Sequence, residues 1–552
     1  MKILKKITAV PAIFLLSVSL LWGQSDMFNT GKYMEIQTMI LRTLENQYVD
    51  TIAAGDLLRT GIEAMLGTLD PYTVMIVEED EENLEMMTTG SYGGVGSMIQ
   101  KMPSKGVLIV EPYENSAAVK FGLEPGDTII SIDSEPVFPL DAATCSKKMR
   151  GAPGSTVKFE VIKGRSGDTV SVDLVRDRIH MSDVVYYGML NDSVGYINIG
   201  SFTVDGSKDV RKALLELKGQ GAQKMVLDLR NNGGGLMSEA VEIISLFVPS
   251  GTMAVYAKGK HPGTYHEYRT LSEPVDTLMP LMVLVNSGSA SSSEIVAGAF
   301  QDLDRAVIAG MRTYGKGLVQ TIRNVGYNTN LKLTTAKYYT PSGRCLQAID
   351  YSNRNADGSV GVIPDSLKKE FKTKGGRTVY DGGGINPDIV VEPLYVSRPL
   401  LALLYSNIVS DYAITYYKNH PDVKTIEDIR LSDEEYEGFV KFAEARDFDA
   451  RTESQIRMAD VIKMAEAERL TEKVDGLDEM MDSLKNKLSF SKYEYLMTNK
   501  DLIRPFIENE IITKYFYERG AVKAALKDDD QLIEALKRWS KYDMESSSVS
   551  EN

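Results

Sequence analysis

Apolar residues recur along this chain with different spacings, and each spacing predicts a different kind of element. In residues 25–88 they return at about every third or fourth position, which predicts helices until Leu69–Pro71 breaks the pattern. Residues 89–177 carry short β-type runs between Gly, Pro and Asp turns, which predicts a small β-rich domain. Residues 398–545 return to a helical, charge-rich pattern.

Alternating strand and helix patterns fill residues 178–397. Strands are predicted at 195–199, 224–229, 281–286 and 306–309, and helices at 209–218, 236–247 and 291–303. Such alternation is typical of an α/β domain with parallel strands. The predicted fold class is therefore multidomain: an α/β core of parallel strands and helices is joined to a β-rich domain, and helical regions flank both.

The first 24 residues are typical of a secretory signal. Lys2, Lys5 and Lys6 form a positive segment, and the almost wholly apolar residues 7–22 are few for a membrane span. We therefore expect an exported, periplasmic protein, which stays anchored in the membrane if the segment is not cleaved. The serine-rich residues 546–552 are expected to be disordered.

The amino-acid composition argues against several classes of function. The chain has 552 residues, 43% of them hydrophobic, so it can bury several cores. Its formal charge of −15 argues against nucleic acid as a partner, because phosphate binding requires a basic surface. Two cysteines, Cys145 and Cys345, cannot form a disulfide framework, and no HExxH, paired CxxC or EF-hand motif occurs. We therefore expect no metal and no cofactor.

Residues 280–300 give the sharpest chemical signal. A flexible Ser/Gly linker is one interpretation, but an apolar strand leads in and a helical pattern leads out. This context favours a tight strand-to-helix turn. A serine at such a turn lies at a helix N-terminus, whose backbone N–H groups can stabilise the oxyanion of an acyl transfer.

A serine nucleophile needs a base, and none of the four histidines lies in a recognisable motif. Lys316, in the glycine-rich segment 310–317, is the next candidate, because burial can lower the pKa of a lysine until it accepts a proton. An ordinary turn lysine is one alternative. A phosphate-binding GxxxxGK loop is another, but Gly317 replaces its Ser or Thr and offers magnesium no hydroxyl.

Three blocks, residues 283–302, 314–320 and 333–344, resemble the carboxyl-terminal processing, or tail-specific, serine proteases. The resemblance implies a specific set of catalytic residues. In this set the nucleophile is Ser291, the base is Lys316, and Gln320 orients the lysine.

One departure from the family pattern affects the nucleophile. Ser292 stands where the family usually has alanine, which leaves three other hydroxyls as alternatives, those of Ser289, Ser292 and Ser293. Residues 228–235 are similar to the family's DLRxNxGG motif. This similarity implies a backbone oxyanion donor at Gly234, with Gly233 as the alternative, and a second donor at the N–H of Ser292.

Residues 91–96 and 115–132 resemble parts of a PDZ domain. Such a domain binds the C-terminal carboxylate of a peptide through main-chain N–H groups, and the peptide adds to a sheet edge as an extra strand. The resemblance assigns the carboxylate loop to four residues, Gly93, Gly94, Val95 and Gly96. The resemblance to the protease family as a whole extends over about residues 35–395, so for residues 398–552 oligomerisation, adaptor binding and restriction of substrate entry all stay open.

These resemblances imply an exported serine endopeptidase that cleaves proteins near their C-termini with a Ser–Lys dyad. Its partners would be protein or peptide tails. Two alternatives are an inert PDZ-containing scaffold and a Ser–Lys peptidase of the signal-peptide-degrading kind. Because the binding and catalytic motifs lie in separate domains, a further hypothesis is that a bound peptide moves the PDZ-like domain and aligns Lys316 with Ser291.

Overall fold

A computed structural model describes residues 9–78, 81–102, 106–355 and 359–549. The chain divides into two units, Met1–Glu78 with Gln320–Thr334, and Glu79–Val319 with Thr335–Asn552. Within the described residues, no helix has both the length and the apolar content needed to cross a bilayer. Residues 1–8 of the expected signal lie outside the described part of the chain, and residues 9–24 begin the first helix.

The smaller unit is mainly helical up to the break at Leu69–Pro71, as the apolar spacing predicts. Its elements are α1 (Ala9–Gln47), α2 (Ala54–Gly67) and β1 (Val74–Ile76). The carboxylate of Asp70 accepts hydrogen bonds from the N–H groups of Tyr72 and Thr73, which forms the turn after α2. Strand β1 then pairs antiparallel with residues 330–332.

The larger unit begins with a β-rich domain. Its elements are α3 (Glu81–Thr89), β2 (Ser91–Gly94), β3 (Ser97–Met102), β4 (Gly106–Pro112), α4 (Ala117–Lys120), β5 (Thr128–Ile132), β6 (Glu135–Pro136), α5 (Ala142–Met149), β7 (Thr156–Ile162), β8 (Thr169–Val175) and β9 (Asp177–His180). The main sheet runs in the order β3-β4-β5-β7-β8, so β3 and β8 are its end strands, and β2 pairs separately with β9. Fully buried side chains such as Ile109, Ile129 and Phe159 form its core.

The α/β core follows, and it contains more strands than the sequence pattern predicts. Its elements are β10 (Val184–Met189), β11 (Val194–Ile199), α6 (Gly206–Gly219), β12 (Lys224–Asp228), α7 (Met237–Ser245), β13 (Met253–Gly259), β14 (His266–Arg269), β15 (Leu281–Val285), α8 (Ser292–Asp302), β16 (Val307–Gly310), β17 (Leu318–Gly326), β18 (Thr329–Tyr339), β19 (Ile349–Arg354), β20 (Val360–Val362), β21 (Glu370–Lys372), β22 (Thr378–Tyr380) and β23 (Ile389–Val390). Among the strands missed, β13 pairs antiparallel with β14 and with residues 336–339 of β18, whereas the short β23 is parallel to β16.

A six-stranded sheet in the order β10-β11-β12-β15-β16-β23 forms the centre of this core. From β11 to β23 the neighbours are parallel, and β10 is antiparallel at one end. The parallel α/β arrangement predicted from the sequence is therefore confirmed. Every residue of the central strand β15 is buried, because strands of a parallel sheet are covered on both faces.

The C-terminal region is helical, as its pattern predicts. Its helices are α9 (Arg398–Tyr405), α10 (Ile408–Asn419), α11 (Asp433–Glu444), α12 (Glu453–Ala467), α13 (Leu470–Lys473), α14 (Leu477–Leu488), α15 (Lys492–Thr498), α16 (Lys500–Ala525) and α17 (Asp530–Val549). Residues 546–549 of the tail predicted to be disordered are included in the bounds of α17. Residues 550–552 lie outside the described chain.

Helix α17 packs on the sheet of the α/β core. Alternate residues of a strand face opposite sides, and in β15 they belong to two different clusters. Val283 packs with α6, α7 and α8 on one face. Leu284 packs on the other face with the α17 residues Leu532, Ala535 and Trp539. The last described helix therefore covers the second face of the protease-like core.

Replacing Leu532 with alanine tests this role of α17. Leu532 is almost fully buried, so Leu532→Ala should lower the free energy of unfolding of the core by about 2–5 kcal/mol. Denaturant unfolding measures the change. The matched control is Ile533→Ala on the same helix, where the side chain is 48% exposed and the expected change is within about 0.5 kcal/mol. Equal losses of unfolding free energy in the two variants would contradict the packing of α17 on the sheet.

Candidate active site

Ser291 lies at a strained turn between the central strand β15 and helix α8. Its backbone has φ 55° and ψ −114°, a positive-φ conformation that a residue with a Cβ adopts only when its surroundings enforce it. The turn places Ser291 at the N-cap of α8, so the segment is a strand-to-helix turn and not a linker. A turn of this kind presents one side chain at the end of the sheet while its neighbours stay buried.

Four serines are candidates for the nucleophile, and their surroundings differ. Ser289, Ser292 and Ser293 are buried. Their hydroxyls donate to main-chain carbonyl oxygens, at 2.7, 2.9 and 2.9 Å, those of Leu229, Gly235 and Asn232. Ser291, by contrast, is partly exposed. Of the four hydroxyls, the one at Ser291 is therefore the one that a substrate can reach.

Glu294, in the first turn of α8, connects the two predicted catalytic segments from inside the protein. Its side chain is fully buried. Oxygen Oε2 accepts hydrogen bonds from the backbone N–H groups of Ser291 and Lys316, each at 2.9 Å. Oxygen Oε1 accepts from the N–H of Gly315 at 2.8 Å and from the hydroxyl of Thr313 at 2.6 Å. One carboxyl group thus joins the serine turn to the lysine loop.

Burial also determines how Glu294 titrates. It raises the pKa of the carboxyl from its ordinary 4.5 to about 7, although the hydrogen bonds from Thr313, Lys316, Gly315 and Ser291 each lower it. A group with this pKa changes charge near neutrality. The link between the serine turn and the lysine loop is therefore sensitive to pH.

Tyr338 makes a second connection between the same two residues, on the carbonyl side. Its buried hydroxyl lies 3.2 Å from the carbonyl oxygen of Ser291 and also contacts the carbonyl oxygen of Lys316. Ser291 and Lys316 thus each have their N–H bound to Glu294 and their carbonyl oxygen at Tyr338. The two backbone segments cannot separate without breaking buried hydrogen bonds, which is costly.

The loop after β12 closely approaches the serine turn. A Cβ on Gly234, whose φ is 101°, would lie 2.7 Å from Ser291 Cβ and 2.9 Å from the Ser292 nitrogen, so this position requires glycine. The Gly234 N–H donates to Asn232 Oδ1 at 2.8 Å, whereas Gly233 is exposed. The backbone of Gly234 thus lies beside the nitrogen of Ser292, the second predicted oxyanion donor, and Gly233 is the more accessible of the two glycines.

Gln320, the residue predicted to orient Lys316, belongs to the smaller unit. It lies in β17, and its Nε2 donates to Thr334 Oγ1 at 3.2 Å. Its role toward the lysine stays a prediction.

The predicted carboxylate-binding loop lies between two strands of the β-rich domain. Gly93 and Gly94 end β2 and pair with β9, while Val95 and Gly96 are buried before β3 begins. A Cβ on Gly96 would lie 2.5 Å from Ser116 Cβ, so the chain can pass there only as glycine. The loop leads directly into β3, an end strand of the sheet, to which a peptide could add as a further strand.

Three family models match separate parts of the chain. They describe a PDZ domain over residues 82–174, peptidase family S41 over residues 193–367, and the C-terminal helical domain of a probable PDZ-protease over residues 400–538. The carboxyl-terminal-processing protease of Synechocystis is 36% identical over 318 residues, which cover 56% of this chain and 71% of that protein. The chain belongs to peptidase family S41.

Other relatives agree with this S41 membership. The carboxy-terminal-processing protease of Bartonella bacilliformis is 32% identical over 374 residues, 66% of this chain and 83% of that protein. Among solved structures, the photosystem II D1 C-terminal processing protease is 26% identical and covers 64% of this chain and 92% of its own, with a TM-score of 0.34. The predicted family, the fold class and the serine-type peptidase activity are confirmed by the family and sequence matches, and the inert-scaffold alternative is not supported.

Glu294 and Tyr338 contact the backbone of both predicted catalytic residues, and the sequence analysis did not identify either of them. Both lie inside the blocks that carry the family resemblance, but spacing alone does not show that a carboxyl or a phenol points inward. For Glu294 one signal was present. It is the acidic residue of an otherwise small and apolar segment, 283–300, at a position that a helix leaving the sheet would bury.

Replacing the buried carboxyl of Glu294 with an amide tests this pKa shift, because the shift predicts in which direction the free energy of unfolding changes with pH. Because the fold raises the pKa of Glu294, the folded state keeps its proton to a higher pH than the unfolded chain. Its contribution to the free energy of unfolding is therefore fully present below about pH 4.5 and is lost as the pH rises through about 7. Glu294→Gln cannot titrate.

We therefore expect wild-type stability to fall relative to Glu294→Gln as the pH rises from about 5 to about 8. Thermal unfolding of both proteins across this range measures the difference. Parallel pH profiles for the two proteins would contradict the prediction.

Proposed function

We propose that this S41 peptidase cleaves exported proteins near their C-termini, with Ser291 as nucleophile and Lys316 as base. The observation that carries the proposal is the double connection made by Glu294 and Tyr338. These two side chains bind the N–H groups and the carbonyl oxygens of both residues. Such fixed backbone geometry is what a nucleophile and its base require.

The reaction follows from the groups at the site. The neutral amine of Lys316 removes the proton of the Ser291 hydroxyl as Oγ attacks the carbonyl carbon of the substrate. The N–H of Ser292 and an N–H of the Gly233–Gly234 segment donate to the resulting oxyanion. The tetrahedral intermediate then collapses to an acyl-enzyme, and the leaving amine takes the proton from Lys316. Water, activated by the same amine, releases the new C-terminus.

Substrate choice is the part of the proposal that rests on the PDZ domain. The loop of Gly93–Gly96 precedes an end strand, which is the arrangement that captures a C-terminal carboxylate and adds the peptide to the sheet. The lysine-flanked apolar segment of residues 1–24 supports export, so we propose that the substrates are extracytoplasmic protein tails.

Substitutions at the proposed dyad test the chemistry. Ser291→Ala and Lys316→Arg should each reduce cleavage of a tailed substrate by at least about a thousandfold, because one lacks the nucleophile and the other cannot act as a base. The matched control is Ser292→Ala, which removes a neighbouring buried hydroxyl but keeps the backbone N–H. We expect it to retain activity within about tenfold. Cleavage is followed by mass spectrometry of the products, and normal turnover by Ser291→Ala would refute the assignment.

A pair of substrates tests the recognition of the tail. We expect a protein that ends in a free carboxylate to be cleaved at least about tenfold faster than the same protein with a C-terminal amide, since main-chain N–H groups favour an anion. The kcat/KM values of the two substrates give the ratio. Equal values would remove carboxylate recognition from the proposal while leaving the dyad untouched.

A further inference from the structure

Arg230 lies between two carboxylates at the start of the glycine-rich loop. On one side its Nε and Nη2 donate to the buried Asp228, at 3.0 and 2.6 Å. On the other side Nη1 donates to Asp529 Oδ1 at 3.1 Å, and Nη2 donates to Asp529 Oδ2 at 2.5 Å. Gln531 Oε1 accepts a further hydrogen bond from Nη1 at 3.1 Å. The guanidinium is thus held by groups from two parts of the larger unit that are far apart in sequence.

Asp228 is itself fixed in the core. It ends strand β12, is 2% exposed, and accepts a hydrogen bond from the hydroxyl of Tyr196 at 2.7 Å. The backbone N–H of Arg230 donates to its Oδ1 at 2.9 Å. This half of the arrangement belongs to the sequence block that resembles the family.

Asp529 comes from the C-terminal region and lies 299 residues after Arg230 in the chain. It precedes α17, and its Oδ1 also accepts from the N–H of Leu532 at 2.9 Å. The packing of α17 on the sheet fixes its position, and Gln531 Nε2 donates to the carbonyl oxygen of Val391 at 2.7 Å. The second carboxylate therefore moves only if the helix leaves the core.

The loop that follows Arg230 leads to the serine turn by a chain of hydrogen bonds. The Asn231 N–H donates to Asn286 Oδ1 at 2.9 Å, and the Asn232 carbonyl oxygen accepts from the N–H of Ala290 at 3.0 Å. Gly234 then comes within contact of Ser291. A shift of Arg230 is therefore passed to the peptide N–H groups beside the nucleophile.

We propose that Asp529 is a positioning residue of the peptidase, which holds the oxyanion loop in place through Arg230. This inference rests on the proposed function for the role of the loop, and it assigns to the C-terminal helical region a part in catalysis. Two carboxylates on adjacent edges, which share Nη2, fix the position of the guanidinium more firmly than one carboxylate alone. Donors aimed at the oxyanion lose their effect when they are displaced by a fraction of an ångström.

The test is Asp529→Ser in the full-length protein. Serine is as good an N-cap as aspartate, so α17 keeps its first hydrogen bond while Arg230 loses its second carboxylate. We expect kcat to fall about tenfold with KM within about twofold of wild type, because the loop acts in the transition state. The unfolding midpoint should fall only slightly, because Arg230 keeps its bonds to Asp228 and α17 keeps its cap. Asp530→Ser, at the exposed neighbouring carboxylate, is the matched control and should leave all three quantities unchanged.

Amide hydrogen exchange provides a readout that does not depend on activity. In Asp529→Ser the N–H groups of residues 231–235 should exchange faster than in wild type, while those of α17 exchange at the wild-type rate. Wild-type kcat, or unchanged exchange in the loop, would overturn the inference. So would a fall in kcat accompanied by faster exchange in α17, since the effect would then be structural.

A parallel assay of Ser291→Ala separates this inference from the proposed function. If Ser291→Ala stays active, the proposed dyad is wrong, whatever Asp529→Ser does. If Ser291→Ala is inactive and Asp529→Ser matches wild type, only the positioning role fails.

Discussion

The arrangement of the active site depends on one buried carboxyl group. Glu294 lies in the helix that follows Ser291, the proposed nucleophile, yet two of its hydrogen-bond donors belong to the lysine loop. Tyr338 makes the complementary contacts to the carbonyl oxygens of the serine and the lysine. Because both side chains are buried, these bonds do not compete with water and hold the two segments firmly. The relative position of the two backbone segments is thus set by the core and not by two surface loops.

The C-terminal helical region is also a structural part of the catalytic core. A parallel sheet requires cover on both faces, and here α17 supplies the second cover. Its first residues also bind the arginine at the start of the glycine loop. The region matched by a separate family model at residues 400–538 is therefore joined to the catalytic core through packing and through charge. A module that was merely appended to the core would be expected to have neither hydrophobic packing nor ion pairs with it.

Much of this fold follows from the sequence, and the failures have physical causes. The predicted strands 224–229 and 281–286 agree with β12 and β15 to within a residue, because continuous apolar runs between turn residues leave few alternatives. The antiparallel strands β13 and β14 were missed, since their exposed polar positions weaken the pattern. At the site, the motif identified Ser291, but the inaccessibility of Ser289, Ser292 and Ser293 emerges only when the turn is folded. The contact of Arg230 with Asp529 joins segments 299 residues apart, a separation that local patterns do not encode.

The position of α17 near the end of the sequence affects how the enzyme folds during its synthesis. A ribosome completes the strand that carries Asp228 long before it synthesises Leu532, so the nascent sheet has one bare apolar face. The core therefore cannot complete its packing before the last helix has been synthesised. The second apolar face of the sheet leaves water only when Leu532, Ala535 and Trp539 dock on it.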